Sequence, residues 1–157
     1  MGGPLCFPLF VDLSGTGVLV VGAGAVALRR VKALLDFAGS VTVVAPTVRD
    51  ELDAMAEAGR ITLLRRPFRP SDLESAGLVL AATDDPQLNA EIARLARSRS
   101  IPVNVSSDKT LCDFYFPGVA RKGSIVVGVT AGGTDHAGAK RVTQAVRKLL
   151  EEGDGSR

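Results

Sequence analysis

Residues able to do chemistry gather at a few points along this 157-residue chain, and the first of them is a glycine loop. Gly22, Gly24 and Ala27 spell G-x-G-x-x-A, the spacing at which a dinucleotide pyrophosphate is bound. Each position has its own physical reason. Gly22 makes a tight turn, Gly24 lets backbone approach the phosphates, and Ala27 lets a helix settle close on a strand. With Ala25 and Val26, the loop offers unpaired N–H groups and a partial positive charge at the start of that helix. The competing reading is a tight turn with no ligand.

The other candidates each follow an apolar run. Ala45, Pro46 and Thr47 stand about 20 residues past the glycines, where an NAD-specific site usually places Asp or Glu. Without that acid, ribose hydroxyls would be held by backbone groups and Thr47, and Arg49 nearby leaves NADP open. Thr83 and Asp84 are further candidate cofactor contacts. Capping the helix that Pro86 begins needs Asp84 or Asp85, which is the structural alternative. Asn104, Ser106, Ser107 and Asp108 cluster next. Asp108, with Ser107 beside it, is placed to accept a proton or orient a substrate that Asn104 helps to hold; an ordinary turn is the alternative. Thr130, Gly132, Gly133 and Thr134 end a strand and open a helix, whose N–H groups suit a substrate carboxylate; hinge or dimer packing is the alternative. His136 beside Asp135 reads as a helix-cap or surface residue. One histidine and two distant cysteines, Cys6 and Cys112, make no recognisable metal site, and both thiols are expected free, as in a cytoplasmic protein.

The elements that position these residues alternate. Gly17–Val21, Val41–Ala45, Ile61–Leu64, Leu78–Ala82 and Pro102–Val105 read as buried strands. Ala27, Val31, Leu34, Leu35 and Ala38 form the apolar stripe of a helix that Gly39 stops. Thr47 is the expected N-cap of a helix to Ala58, closed by Gly59. Pro70–Glu74 is a helical turn, and a helix runs from Pro86 to about Arg99. The expected class is α/β, a Rossmann-type doubly wound parallel sheet ordered 3-2-1-4-5, over residues 1–106. Its ligands bind outside the carboxyl ends of the strands. Beyond it, Leu111–Phe116 and Ser124–Thr130 read as two strands, followed by a helix from Asp135 or His136 to Glu151. They make residues 107–152 a small arm for dimerisation and substrate binding, with a disordered tail at 153–157. Pro4–Leu13 reads as an edge strand.

Bulk composition excludes several classes. Hydrophobic residues make up 46% and charged residues 23%, as in an ordinary globular protein. No apolar run is long enough to span a membrane, and residues 1–10 have no signal-peptide shape. A net charge of +2 argues against nucleic acid. The basic residues are unevenly placed: Lys109, Arg121, Lys122, Lys140, Arg141, Arg147 and Lys148 face only Asp108, Asp113 and Asp135 over residues 104–150. An anionic partner or a solvated helix face explains that excess equally well.

Six blocks together resemble the precorrin-2 dehydrogenase family, which includes the N-terminal module of siroheme synthase. They are Phe10–Leu13, Val20–Ala27, Ala81–Asp85, Val103–Val105, Asp113–Pro117 and Thr130–Thr134. The resemblance covers about residues 5–150. It implies a homodimer that exchanges C-terminal arms, NAD as cofactor, and oxidation of precorrin-2, a polycarboxylate tetrapyrrole, to sirohydrochlorin in siroheme biosynthesis. Some members also insert iron. A bifunctional dehydrogenase and ferrochelatase, or a non-catalytic dinucleotide-sensing dimer, are the alternatives. The chain departs from the family in three ways. Ser107 occupies the place of the family's first aspartate, its proposed catalytic residue, and Asp108 the next. Asp135 and His136 replace Ser-Pro after Gly-Gly-Thr. The further helical region of many members does not follow residue 157, so a less enclosed cleft and a weaker case for metal insertion are expected.

Overall fold

The computed structural model describes residues 5–152. They form two compact units: Val11–Phe114, and residues 5–10 with 115–152. Pro4 and the tail expected at 153–157 lie outside the described residues.

The larger unit is a five-stranded parallel sheet. Its strands are β1 Gly17–Val21, β2 Ser40–Val44, β3 Thr62–Leu64, β4 Leu78–Ala81 and β5 Val103–Val105, ordered β3-β2-β1-β4-β5. Helices α1 Ala25–Leu34, α2 Asp50–Glu57 and α3 Pro86–Ser98 make the crossovers. This is the expected Rossmann-type α/β class. The chain reverses its winding between β1 and β4, which brings the carboxyl ends of those strands together as a ligand-binding edge. Leu19, Val21, Val44, Val79, Ala81, Val103 and Val105 pack with Ile92, Ala93 and Ala96 of α3 on one face. Val18, Val20, Val43 and Leu80 alternate with them and are buried too, so the strands read as unbroken apolar runs.

Several expectations move. Residues 5–13 form no strand, and Phe7, Leu9, Phe10 and Val11 are largely exposed. α1 ends at Leu34 rather than at Gly39. Gly39 is needed for a different reason: a Cβ there would stand 2.4 Å from the Ser14 carbonyl oxygen. The stripe of α1 also includes Arg30, 9% exposed, whose pKa burial pushes down to about 10. Arg49, not Thr47, stands at the N-cap position of α2, with no side-chain cap, because the chain bends at Pro46 and Thr47 before the helix starts. Gly59, at φ +69°, does close it.

The two compact units divide at 114/115, a little past the 106/107 boundary expected between domains. A 3-10 turn, Lys109–Leu111, replaces the start of the strand expected at Leu111–Phe116. The next residues are fastened to β5 instead of pairing with a later strand. Asp113 N–H donates to Val103 O (2.9 Å), Val103 N–H donates to Asp113 Oδ2 (3.0 Å), and Asn104 Nδ2 donates to Phe114 O (2.7 Å). Cys112, a free thiol, accepts from Val105 N–H at 3.2 Å. Arg97 holds Asp113 from α3 through Nε at 3.0 Å. A side chain thus supplies part of the ladder that the open edge of β5 lacks.

The smaller unit is a hairpin, β6 Gly118–Lys122 and β7 Ile125–Val129, with helix α4 His136–Glu152. The hairpin begins later than expected, and Gly123, at φ +56°, makes its two-residue turn. Gly118 lets β6 approach α4, since a Cβ there would stand 2.3 Å from Thr143 Oγ1. Arg147 and Lys122 tie the same pair together through Val119 O (2.7 Å) and Leu150 O (2.6 Å). Among its described residues only Ala120 and Thr143 are buried, while Ile125, Val142 and Leu149 are more than half exposed.

Candidate functional site

The glycine loop is built by close approach. Gly22 has φ +106°, and a Cβ on it would lie 2.3 Å from Ala82 O and 2.9 Å from Thr83 N. Gly22 N–H donates to Val44 O (2.9 Å) and Ala82 N–H to Val21 O (2.8 Å), so the loop is wedged between the ends of β2 and β4. Gly24 differs in kind. Its φ of −84° suits any residue, and a Cβ there would meet nothing within 4 Å. The reason for glycine lies in the open space beside it. Gly24, Ala25 and Val26 are exposed, no side chain caps α1, and its first turn carries no acid. Buried Ala27 seats the helix on the sheet. These features fit a pyrophosphate: bare N–H groups, the positive end of a ten-residue helix, and room.

At the end of β2, Ala45 is buried while Pro46 and Thr47 are exposed. The nearest acids are Asp50, Glu51 and Asp53 in the first turn of α2. Arg49 lies 3.6 Å from Glu51, both about half exposed.

At the end of β4 the two aspartates separate in role. Asp85 caps α3, accepting from Gln87 N–H (2.9 Å) and Leu88 N–H (3.2 Å). Asp84 is exposed and takes no part in that cap. Thr83 is fixed by a residue that sequence reasoning did not single out. Asn89, 0% exposed, accepts from Thr83 N–H (3.2 Å) and Thr83 Oγ1 (2.7 Å), and its Nδ2 donates to Thr83 O (3.1 Å). The same Nδ2 donates to Ser107 Oγ at 3.0 Å. A polar residue among Ile92, Ala93 and Ala96 on the inner face of α3 was the signal available in the sequence.

Past β5 the expected cluster divides. Asn104 is only 3% exposed, and its Nδ2 tethers Phe114. Ser107 and Asp108 are exposed. Asp108 is engaged, accepting from Thr110 Oγ1 (2.7 Å) and Thr110 N–H (2.8 Å). Those bonds, the hydroxyl first, hold its carboxyl below the ordinary carboxylate range. It is therefore ionised at neutral pH and a weak proton acceptor.

The structure thus brings Gly22, Thr83 and Ser107 to one edge of the larger unit. Thr130–Thr134 belongs to the smaller unit. There Gly132 and Gly133 have φ of +60° and +72°, Gly132 N–H donates to Thr130 Oγ1 (3.1 Å), and Thr134 Oγ1 donates to Ala131 O (2.6 Å). The α4 N-terminus has its own carboxylate, Asp135 Oδ1, accepting from Gly138 N–H at 2.7 Å. His136 is the exposed first residue of α4. Among the described residues no group of His, Cys, Asp and Glu is arranged to hold a metal, and no helix is long and apolar enough to cross a membrane.

The chain is similar to known proteins along most of its length. The chain is 44% identical over 144 residues to siroheme synthase of Pseudomonas entomophila (strain L48), covering 92% of this chain and 30% of that protein. It is 42% identical over 146 residues to siroheme synthase of Pseudoalteromonas atlantica (strain T6c / ATCC BAA-1087), covering 93% and 32%. The chain therefore spans about a third of the length of the relatives it matches. A solved structure, SirC, precorrin-2 dehydrogenase, shares the fold with a TM-score of 0.77 at 24% identity, over 95% of this chain and 76% of that one. The model of a family described as NAD(P)-binding matches residues 9–118, from ahead of the glycine loop to past the Asp108 turn, and the chain belongs to that family.

Proposed function

We propose that this chain is an NAD-dependent dehydrogenase that oxidises precorrin-2 to sirohydrochlorin in siroheme biosynthesis and works as a homodimer. The observation that carries the reading is the 144-residue likeness to siroheme synthase. A stretch of that length in 157 residues includes Gly22, Ser107 and Thr134, so it extends well beyond what a bare dinucleotide-binding fold requires.

When bound, the nicotinamide supplies the hydride acceptor. The chain's own residues do the rest. N–H groups at Gly24, Ala25 and Val26 hold the pyrophosphate, with Gly22 shaping the turn. Ala45, Pro46 and Thr47 line the adenosine side, and Glu51 holds Arg49, the cation nearest them, in an ion pair, which lessens its pull on a 2′-phosphate and supports NAD as the cofactor. Thr83 and Asp84 border the nicotinamide side. Asp108, ionised, favours the positive charge that develops on the substrate as hydride leaves. Lys140 and Arg141, exposed on α4 of the smaller unit, are the partners offered to tetrapyrrole carboxylates. The few buried side chains of that unit, against its exposed Ile125, Val142 and Leu149, support pairing of two copies.

One observation favours a second reading, a dinucleotide-sensing dimer without catalysis: Asp108 is committed to Thr110 and Ser107 is no base. Purified protein mixed with NAD and precorrin-2 separates the two. NADH formation with sirohydrochlorin as product supports the dehydrogenase; NAD binding with no turnover supports the sensor.

A further inference from the structure

Asn89 has no exposed surface, yet its amide uses both oxygen lone pairs and both N–H groups. Its orientation is fixed by chemistry. Thr83 N–H can only donate and Thr83 O can only accept, so the first must meet Oδ1 and the second Nδ2. The remaining Nδ2 hydrogen then points at Ser107 Oγ, which has to accept it. Two consequences follow. Thr83, whose N atom would be 2.9 Å from a Cβ on Gly22, is locked from behind against the glycine loop. Ser107, exposed and already accepting, must direct its own proton away from Asn89, and no described residue receives it.

We propose that Asn89 is a positioning residue that turns the Ser107 hydroxyl outward as a hydrogen-bond donor to a carbonyl or carboxylate oxygen of the bound ligand. The inference rests on the dehydrogenase reading. That oxygen belongs either to the carboxamide of NAD or to a carboxylate of precorrin-2, and the two are separable by experiment. Asn89→Asp keeps the acceptor for Thr83 but places an oxygen opposite Ser107 Oγ, so the serine proton turns inward. Ser107→Ala removes the donor at an exposed position and, with it, the acceptor of one Asn89 N–H, while the three Thr83 bonds to the amide stay in place.

Binding of NAD alone and of precorrin-2 alone is measured by titration for wild type, both single variants, Ser107→Thr and the double variant. Loss of one good hydrogen bond is expected to weaken the same ligand about tenfold in each single variant. The affected titration identifies the source of the oxygen. Ser107→Thr restores most of the affinity, and the double variant is no weaker than the weaker single. If Asn89→Asp fails to fold, Ser107→Ala decides alone: unchanged binding of both ligands overturns the proposal. Additive losses in the double variant also overturn it, because Asn89 would then be merely structural. Wild type that binds both ligands without turnover sinks the dehydrogenase reading only, and wild type that binds neither sinks both.

Discussion

The Gly22 backbone passes so close to Ala82 at the end of β4 that a Cβ there would stand 2.3 Å from the carbonyl oxygen, while φ is +106°. Clash and backbone strain therefore fall on the same residue. Gly22→Ala is expected to cost about 3 kcal/mol, from an unfavourable φ and an overpacked contact together. A lowered denaturant midpoint measures this; an unchanged midpoint would mean that the loop moves away from β4 freely.

Gly24 is expected to behave oppositely. A side chain there meets no protein atom. Gly24→Ala should keep stability within about 0.5 kcal/mol of wild type, as surface changes usually do. Gly24→Asp brings a negative charge to the mouth of α1 and should abolish NAD binding in a folded protein. Calorimetric titration beside a thermal melt checks both at once.

Much of this was legible in the sequence. Apolar runs covered on both faces marked the strands from Val18 to Val105, and short helical patterns between them fixed a parallel order. Close approaches were not legible. Gly39 looks like a helix stop until the Ser14 carbonyl is placed beside it. Leu111–Phe116 reads as a strand, yet Asp113 and Cys112 bond back to β5 across a distance in sequence that a local reading does not register. The pairing of Asn89 with Ser107 spans 18 residues and depends on which face of α3 meets the sheet. Asp108 was legible as a polar residue at the right strand end; its engagement by Thr110 was not.

Asp113 stands in for a missing strand at the edge of β5. Asp113→Ala leaves Val103 N–H without its partner and is expected to cost about 1–3 kcal/mol. Asp113→Asn retains one acceptor and should lose less. Urea unfolding of the two variants tests the ordering, and equal midpoints would contradict it.

The pH dependence at Asp108 has a definite sign. Hydrogen bonds from Thr110 favour the charged form, so the folded pKa lies below the unfolded one. The stabilisation is fully present above the ordinary carboxylate pKa and is lost as pH falls through the lower, folded value. Thr110→Val removes the larger of the two causes and should move the Asp108 pKa back up towards the ordinary range. Carboxyl-carbon NMR titration follows it directly. No shift in the variant would mean that Thr110 does not hold the carboxylate.

The dehydrogenase reading stands or falls on anaerobic incubation of the full chain with NAD and precorrin-2, following NADH absorbance and the pigment spectrum together. Stoichiometric formation of NADH and sirohydrochlorin, lost in Gly24→Asp, is the expected result. Folded, NAD-binding protein that leaves precorrin-2 unchanged would contradict it.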